Sequence, residues 1–218
     1  MESANAFEAC AYPERGRGTE DVALEALSDR VIARLRTRLA ERDPVDETPG
    51  PETRYAAVAA VLRVVHGPEL LLIKRAEVAH DPWSGHMALP GGRREDADAT
   101  LQATAVRETR EELALHLTDA QILGRLDDIA PRSRSLPPII VRPFVAVVPA
   151  QVALINSREV AATYWVPLAL LRAPETQSEH TIPRDGGDAR FPAYALHGQV
   201  VWGLTERIVR QLLALCDD

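Results

Sequence analysis

Residues 90–115, Pro-Gly-Gly-Arg-Arg-Glu-Asp-Ala-Asp-Ala-Thr-Leu-Gln-Ala-Thr-Ala-Val-Arg-Glu-Thr-Arg-Glu-Glu-Leu-Ala-Leu, join a two-glycine turn to a helical run that ends in clustered carboxylates. On a helix advancing about 100° per residue, Glu108, Glu111 and Glu112 fall at i, i+3 and i+4 and leave from one face. Three like charges so close repel one another unless a cation sits between them. A set of oxygen donors suits Mg²⁺ or Mn²⁺, whereas zinc would call for Cys or His. Leu101, Ala105, Thr109 and Leu113 recur every four residues and give the same helix a stripe for a core beside the acidic arc. On these residues alone a solvated amphipathic helix with no chemistry is the alternative. Arg107, just ahead of the first glutamate, offers a planar fork to a carboxylate or a phosphate, or else makes an ordinary surface ion pair.

The rest of the chain supplies a frame for that helix. From Arg54 the pattern turns to β: 55–65 is rich in Val and Ala, His66-Gly67-Pro68 makes a turn and 69–75 is rich in Leu and Ile, which predicts a hairpin. Beyond the acidic helix, 121–129 and 139–148 read as strands joined by a Pro- and Arg-containing loop at 130–138. A short strand at 163–167 runs into a helical turn, and strands 191–196 and 199–202 flank a turn at Gly198. A closing helix spans 204–216, with Ile208, Leu212 and Leu215 on one side. Helices flanking a mixed sheet predict an α/β sandwich.

Residues 1–18 lack periodicity and read as an arm. A helix then begins at Thr19, which can cap it. Leu24, Leu27, Val31, Leu35 and Leu39 form its apolar stripe, and Pro44 ends it. A linker follows at 43–52, so the chain divides into an N-terminal arm and helix, 1–50, and a main domain, 51–218. The stripe must be covered either by that domain or by a second subunit, which keeps a homodimer open.

With 218 residues and 46% hydrophobic content the chain can bury a sizeable core. Its 32 acidic against 25 basic residues give a net charge of −7, which argues against nonspecific binding to nucleic acid or to anionic membrane and leaves a small metal-chelated ligand open. Cys10 and Cys216 lie near opposite ends with no CxxC pair, so the expected setting is the reducing cytoplasm. No apolar run approaches the roughly 20 residues that cross a bilayer, and the first residues are too polar and acidic for a secretory signal. The chain has no Walker phosphate loop, no Rossmann glycine motif and no Gly-x-Ser-x-Gly elbow.

The whole pattern of 90–115 resembles the Nudix box: Gly, five residues, Glu, seven residues, then Arg-Glu-aliphatic-x-Glu-Glu-x-Gly-aliphatic. Gly92 stands at the box glycine, Arg107-Glu108-x-x-Glu111-Glu112 matches the core hexapeptide, and Leu115 closes it. Three positions depart from the pattern. Asp98 stands at the first Glu and is followed by eight residues before Arg107, Thr109 replaces an aliphatic residue, and Ala114 replaces the second glycine. The extra residue and the aspartate resemble the coenzyme A pyrophosphatase-like branch of the family. Two other segments do too. Arg75, Gly85 and Leu89-Pro90-Gly91-Gly92 partly match the segment before the box in that branch, and Val200-Val201-Trp202-Gly203-Leu204-Thr205 resembles its aromatic-Ile-Trp-Gly-x-Thr ending.

The resemblance implies a Nudix-type α/β/α sandwich with a mixed sheet, preceded here by the N-terminal helix. It implies attack by water on one phosphorus of a nucleoside diphosphate linked to a group X, assisted by Mg²⁺ or Mn²⁺. Glu108, Glu111 and Glu112 would hold the metal at the protein surface, with the Gly91 carbonyl as a further ligand, and Arg107 would orient a glutamate. Glu159 stands where many Nudix enzymes carry another acidic residue, a candidate general base, although a plain glutamate at an element start fits as well. Arg75, Arg132 and Arg134 are candidates to grip a substrate phosphate, against a solvated-loop reading for the last two. Trp83, His80 and His86 lie in a loop able to line a pocket, and Trp202 is expected in the core. The implied substrate is a small nucleotide, coenzyme A or an acyl-coenzyme A. ADP-ribose or a dinucleotide is the alternative, and a non-catalytic Nudix-fold module is the alternative of another class.

Overall fold

The computed structural model describes residues 19–79, 83–131, 137–183 and 187–217, with side chains from residue 30 onward. The predicted arm, the cap at Thr19, His80, Cys10 and both Arg132 and Arg134 therefore lie outside the described residues or side chains. The elements are α1 (Thr19–Glu41), β1 (Arg54–Val64), β2 (Pro68–Arg75), β3 (Met87–Ala88), β4 (Gly91–Arg93), α2 (Leu101–Leu113), β5 (Ile122–Arg125), β6 (Ile139–Val147), β7 (Val160–Pro167), α3 (Leu168–Arg172), β8 (Gln177–Ile182), β9 (Ala189–Leu196), β10 (Gln199–Trp202) and α4 (Gly203–Cys216).

A mixed sheet is built around β1. One edge of β1 runs parallel to β6 from Arg54 opposite Ile139 to Leu62 opposite Val147. Its other edge is divided between two antiparallel partners, β4 at Ala56–Val58 and β2 at Leu62–Val64. β2 continues along β7, and β5 lies outside β6. Strands covered on both faces are apolar almost throughout, which is why β2 reads Leu-Leu-Leu-Ile without alternation. Leu70 and Leu72 face one layer with α1 and α4, while Leu71 and Ile73 face the other with Leu113 of α2. The fold is thus the α/β/α sandwich expected from the sequence.

Leu35 and Leu39 of α1 are buried in the same core as Ile208 and Leu212 of α4, so the chain itself covers this part of the helix stripe. Arg42, Asp46, Arg125, Asp127, Asp128 and Arg142 then tie the segment after α1 to the sheet. Arg142 makes a two-point pair with the buried Asp128 at 2.7 and 2.8 Å, and it also reaches Asp46 at 2.9 Å.

The sequence did not predict β3, β4 or β8. β8 joins β9 and β10 in a separate three-stranded antiparallel sheet. Among the described residues, no helix is long and apolar enough to cross a membrane.

Candidate active site

Helix α2 presents the acidic arc, and its ends fix it in place. The Thr100 hydroxyl accepts the Ala103 N–H at 3.1 Å to cap the N-terminus. At the other end Ala114 takes a left-handed conformation, φ 54°, where the family pattern has glycine. Ala105 packs against Ala57 of β1 and Phe144 of β6, the small side chains letting the helix lie close to the sheet. Thr109, the other departure from the aliphatic pattern, is fully buried and returns its hydroxyl to the Ala105 carbonyl at 2.7 Å, so its polarity costs little.

The glycines are required sterically. At Gly91, with φ 148°, a Cβ would lie 2.3 Å from the Ala57 carbonyl oxygen and 2.5 Å from the Val58 Cα. At Gly92 it would lie 2.5 Å from the Glu108 carboxylate carbon, so the missing side chain is the space in which Glu108 sits.

Arg107 braces the arc against the turn. Its Nε and Nη2 donate to the two carboxylate oxygens of Asp98 at 3.0 and 2.9 Å, Nη2 also reaches the Arg93 carbonyl at 3.0 Å, and Nη1 donates to Glu108 and to Glu111 at 3.0 Å each. Asp98 is only 5% exposed and accepts two further bonds, from the Thr104 hydroxyl and the Glu95 N–H. Its bonds to the Arg107 guanidinium are the largest cause holding the carboxyl well below the usual range, and they hold the guanidinium charged. The aspartate that departs from the box is thus the anchor of its arginine. A carboxylate flanked by Arg, Thr and a turn N–H is a signal visible in sequence only once the turn is known.

Glu108 and Glu112 point into a cleft of about 920 Å³, and Arg75 and Glu159 line the same cleft. Glu112 corrects an expectation: it is buried, 4% exposed, and does not stand at the protein surface. Its Oε2 accepts the Gly91 N–H at 2.9 Å. Burial pushes its carboxyl up to about 7, with the charges of Glu108 and Glu159 adding to the rise and the Gly91 N–H and Arg75 opposing it. Glu108 is raised too, chiefly by burial and against the pull of Arg107. Glu111 differs from both: its side chain is 58% exposed, pairs with Arg107, and does not line the cleft.

Glu159 is exposed and reaches the cleft through a loop fastened to the end of α2. The Ile155 N–H donates to the Leu113 carbonyl at 2.9 Å and the Ser157 N–H to the Glu112 carbonyl at 2.8 Å, while the Glu159 N–H donates to the Ser157 hydroxyl at 3.3 Å. Nothing in the sequence marks Ser157 as this link. The cleft is also lined by Trp202, at the junction of β10 and α4, and by Arg207 of α4. Trp202 is partly exposed and lines the cleft, which corrects the expectation that it belongs to the core. Arg207 donates to the Ala130 carbonyl at 2.7 Å.

Among the described residues no three His, Cys, Asp or Glu side chains already converge as a ready coordination sphere. The donor chemistry nevertheless fits a hard divalent ion. Glu112 is buried and Glu108 partly so, burial raises both carboxyls, and neighbouring carboxylates add to each rise, Glu108 and Glu159 for Glu112, Glu111 and Glu159 for Glu108; a cation bound there would relieve both the burial and the repulsion.

A mixed sheet between helix layers, with a carboxylate-bearing helix behind a glycine turn, defines a Nudix-type fold and site. A NUDIX domain profile matches residues 53–184. An uncharacterized Nudix hydrolase, NudL, from Yersinia pestis is 34% identical over 160 residues, covering 73% of this chain and 78% of its own, and the NudL of Yersinia pseudotuberculosis matches equally. Among solved structures, a MutT/nudix family protein from Enterococcus faecalis superposes with a TM-score of 0.52 at 15% identity, over 90% of this chain and 74% of that one. The chain belongs to the Nudix family and is a Nudix pyrophosphohydrolase. Nudix hydrolases generally use divalent metals such as Mg²⁺ or Mn²⁺.

Proposed function

We propose that the protein hydrolyses the diphosphate bond of coenzyme A or an acyl-coenzyme A, giving 3′,5′-ADP and a phosphopantetheine. The observation that carries the reading is the cleft itself. At about 920 Å³ it lies near the top of the roughly 300–1,000 Å³ range of small-molecule sites, with Glu108, Glu112 and Glu159 in a lining that is otherwise largely apolar. That gives room for a long arm on one side of a diphosphate. The likeness of residues 200–205 to the ending of the coenzyme A-type branch supports the same substrate.

Glu108, Glu111 and Glu112, with the Gly91 carbonyl, would hold Mg²⁺ or Mn²⁺, which supplies Lewis-acid stabilisation of charge on the transferring phosphoryl group. For Glu111 this requires its carboxylate to leave Arg107 or share it. Arg107 keeps Glu108 aimed at the cleft. Glu159, exposed and adjacent, takes the proton from the attacking water. Arg75, whose charge already acts on Glu112, offers a guanidinium to a phosphate oxygen. Arg132 and Arg134 remain candidates for the 3′-phosphate, since Pro131, just before them, lines the cleft.

The test is hydrolysis of coenzyme A, 3′-dephospho-coenzyme A and ADP-ribose under one set of conditions with Mg²⁺ or Mn²⁺. Preference for coenzyme A by roughly tenfold, about 1.4 kcal/mol, is the expected result. Equal rates or a preference for ADP-ribose would remove coenzyme A and leave diphosphate hydrolysis standing.

A further inference from the structure

Part of the cleft lining is aromatic, and its rings are held by one another. The indole of Trp202 is stacked on the imidazole of His180 from β8, with centroids 4.2 Å apart and 29° between planes. His180 does not line the cleft, whereas Trp202, His86 and Phe191 do. His86 and Phe191 stand at 60° and 49° to the indole, with centroids 5.1 and 5.9 Å away. Stacked and tilted rings at these separations are favoured arrangements for aromatic pairs, so they hold the indole in a fixed orientation where it lines the cleft.

Such a surface recognises a flat ring. A nucleobase gains stacking on it whichever base it is, since every base has a π face, while a flexible amide arm gains only contact area. The neighbouring side chains agree with a base beside Trp202. Helix α4 starts directly after Trp202, and its Arg207 and Arg210 border the same cleft, guanidinium groups suited to a phosphate carried on the attached sugar. The carboxylates of α2 line the same cleft.

We propose that Trp202, flanked by His86 and Phe191 and stacked on His180, is the nucleobase-binding site of this protein. The proposal rests on the cleft being the substrate site, as in the proposed function, and not on which diphosphate is cleaved.

The test is calorimetric titration of the full chain with AMP, ribose 5-phosphate and 4′-phosphopantetheine. None contains a diphosphate, so the measurement reads the same whether or not coenzyme A proves to be turned over. AMP is expected to bind roughly tenfold or more tightly than ribose 5-phosphate, the scale of one base–aromatic stack. Trp202→Leu and Phe191→Leu should bring AMP down toward ribose 5-phosphate, with Trp202→Phe in between and ribose 5-phosphate unchanged. Should Trp202→Leu not fold by circular dichroism, Trp202→Phe and Phe191→Leu carry the comparison. AMP binding no better than ribose 5-phosphate, or AMP affinity unchanged in the folded variants, overturns the proposal. So does loss of 4′-phosphopantetheine binding with AMP unaffected, which would give the recess to the arm.

Discussion

The backbone N–H of Gly91 donates to the Glu112 carboxylate at 2.9 Å, joining the glycine turn to the buried end of the acidic helix. That single bond does not offset the burial, which holds the carboxyl at about 7 against an ordinary value of 4.5. Below the lower value the group is neutral in folded and unfolded chains alike. Between that value and about 7 the unfolded chain ionises while the folded chain keeps its proton, so stability falls as pH rises through this window and levels off above it. The metal-free protein should therefore lose roughly 3 kcal/mol across this window, at about 1.36 kcal/mol per unit. Glu112→Gln should flatten that part of a melting-temperature profile, and Mg²⁺ should stabilise the wild type more at pH 8 than at pH 5. An identical profile in the variant would show that Glu112 does not titrate there.

Glu112→Gln should also lower kcat by roughly a hundredfold or more, about 2.7 kcal/mol of lost transition-state stabilisation. Glu111→Gln should have a comparable kinetic effect while leaving thermal stability unchanged, because this side chain is exposed and pairs only with Arg107 among the bonds described. Unchanged kinetics in Glu111→Gln would reduce it to a surface ion pair. A chelator should silence the enzyme and added Mg²⁺ or Mn²⁺ restore it.

Asp98→Asn removes the charge that Arg107 grips at two points in a buried setting. A loss of about 3 kcal/mol is expected, the scale for breaking a buried pair. Denaturant unfolding checks it, and a loss below about 0.5 kcal/mol would mean that Arg107 is held equally well by its glutamates.

Ala114→Gly should stabilise the protein by about 0.5–1 kcal/mol, since the exposed alanine sits at φ 54°, which glycine adopts without strain. A lower melting temperature in this variant would contradict the assignment of strain at the C-cap.

Leu35→Ala should cost about 3 kcal/mol, because this residue of α1 is fully buried in the core shared with α4. A change within error would mean that α1 is a dispensable appendage.

What could be read from the sequence was local. The hairpin of β1 and β2, the helix α2 and the closing helix α4 follow from apolar spacing and from the turns at His66–Pro68 and Gly198, signals contained in a few neighbouring residues. Burial of Glu112 could not be read that way, since its partner Gly91 lies 21 residues earlier and its depth depends on how closely α2 approaches β1. The anchoring role of Asp98 depends likewise on a turn that folds it back under Arg107. Strand β8 gave no alternating signal because its residues are mostly exposed on both faces. Trp202 looked like a core residue, as an isolated tryptophan in an apolar strand does, and only its pairing with β9 and the turn into α4 bring it to the cleft.

The two amide bonds from Ile155 and Ser157 to the last carbonyls of α2 have a consequence for motion. A loop outside any regular element would ordinarily exchange its amide hydrogens quickly, yet these two can open only if the helix end loses its cap. The segment carrying Glu159 and the helix carrying Glu108 and Glu112 therefore behave as one rigid jaw. The spacing between Glu159 and the carboxylates of α2 is therefore set before any substrate arrives.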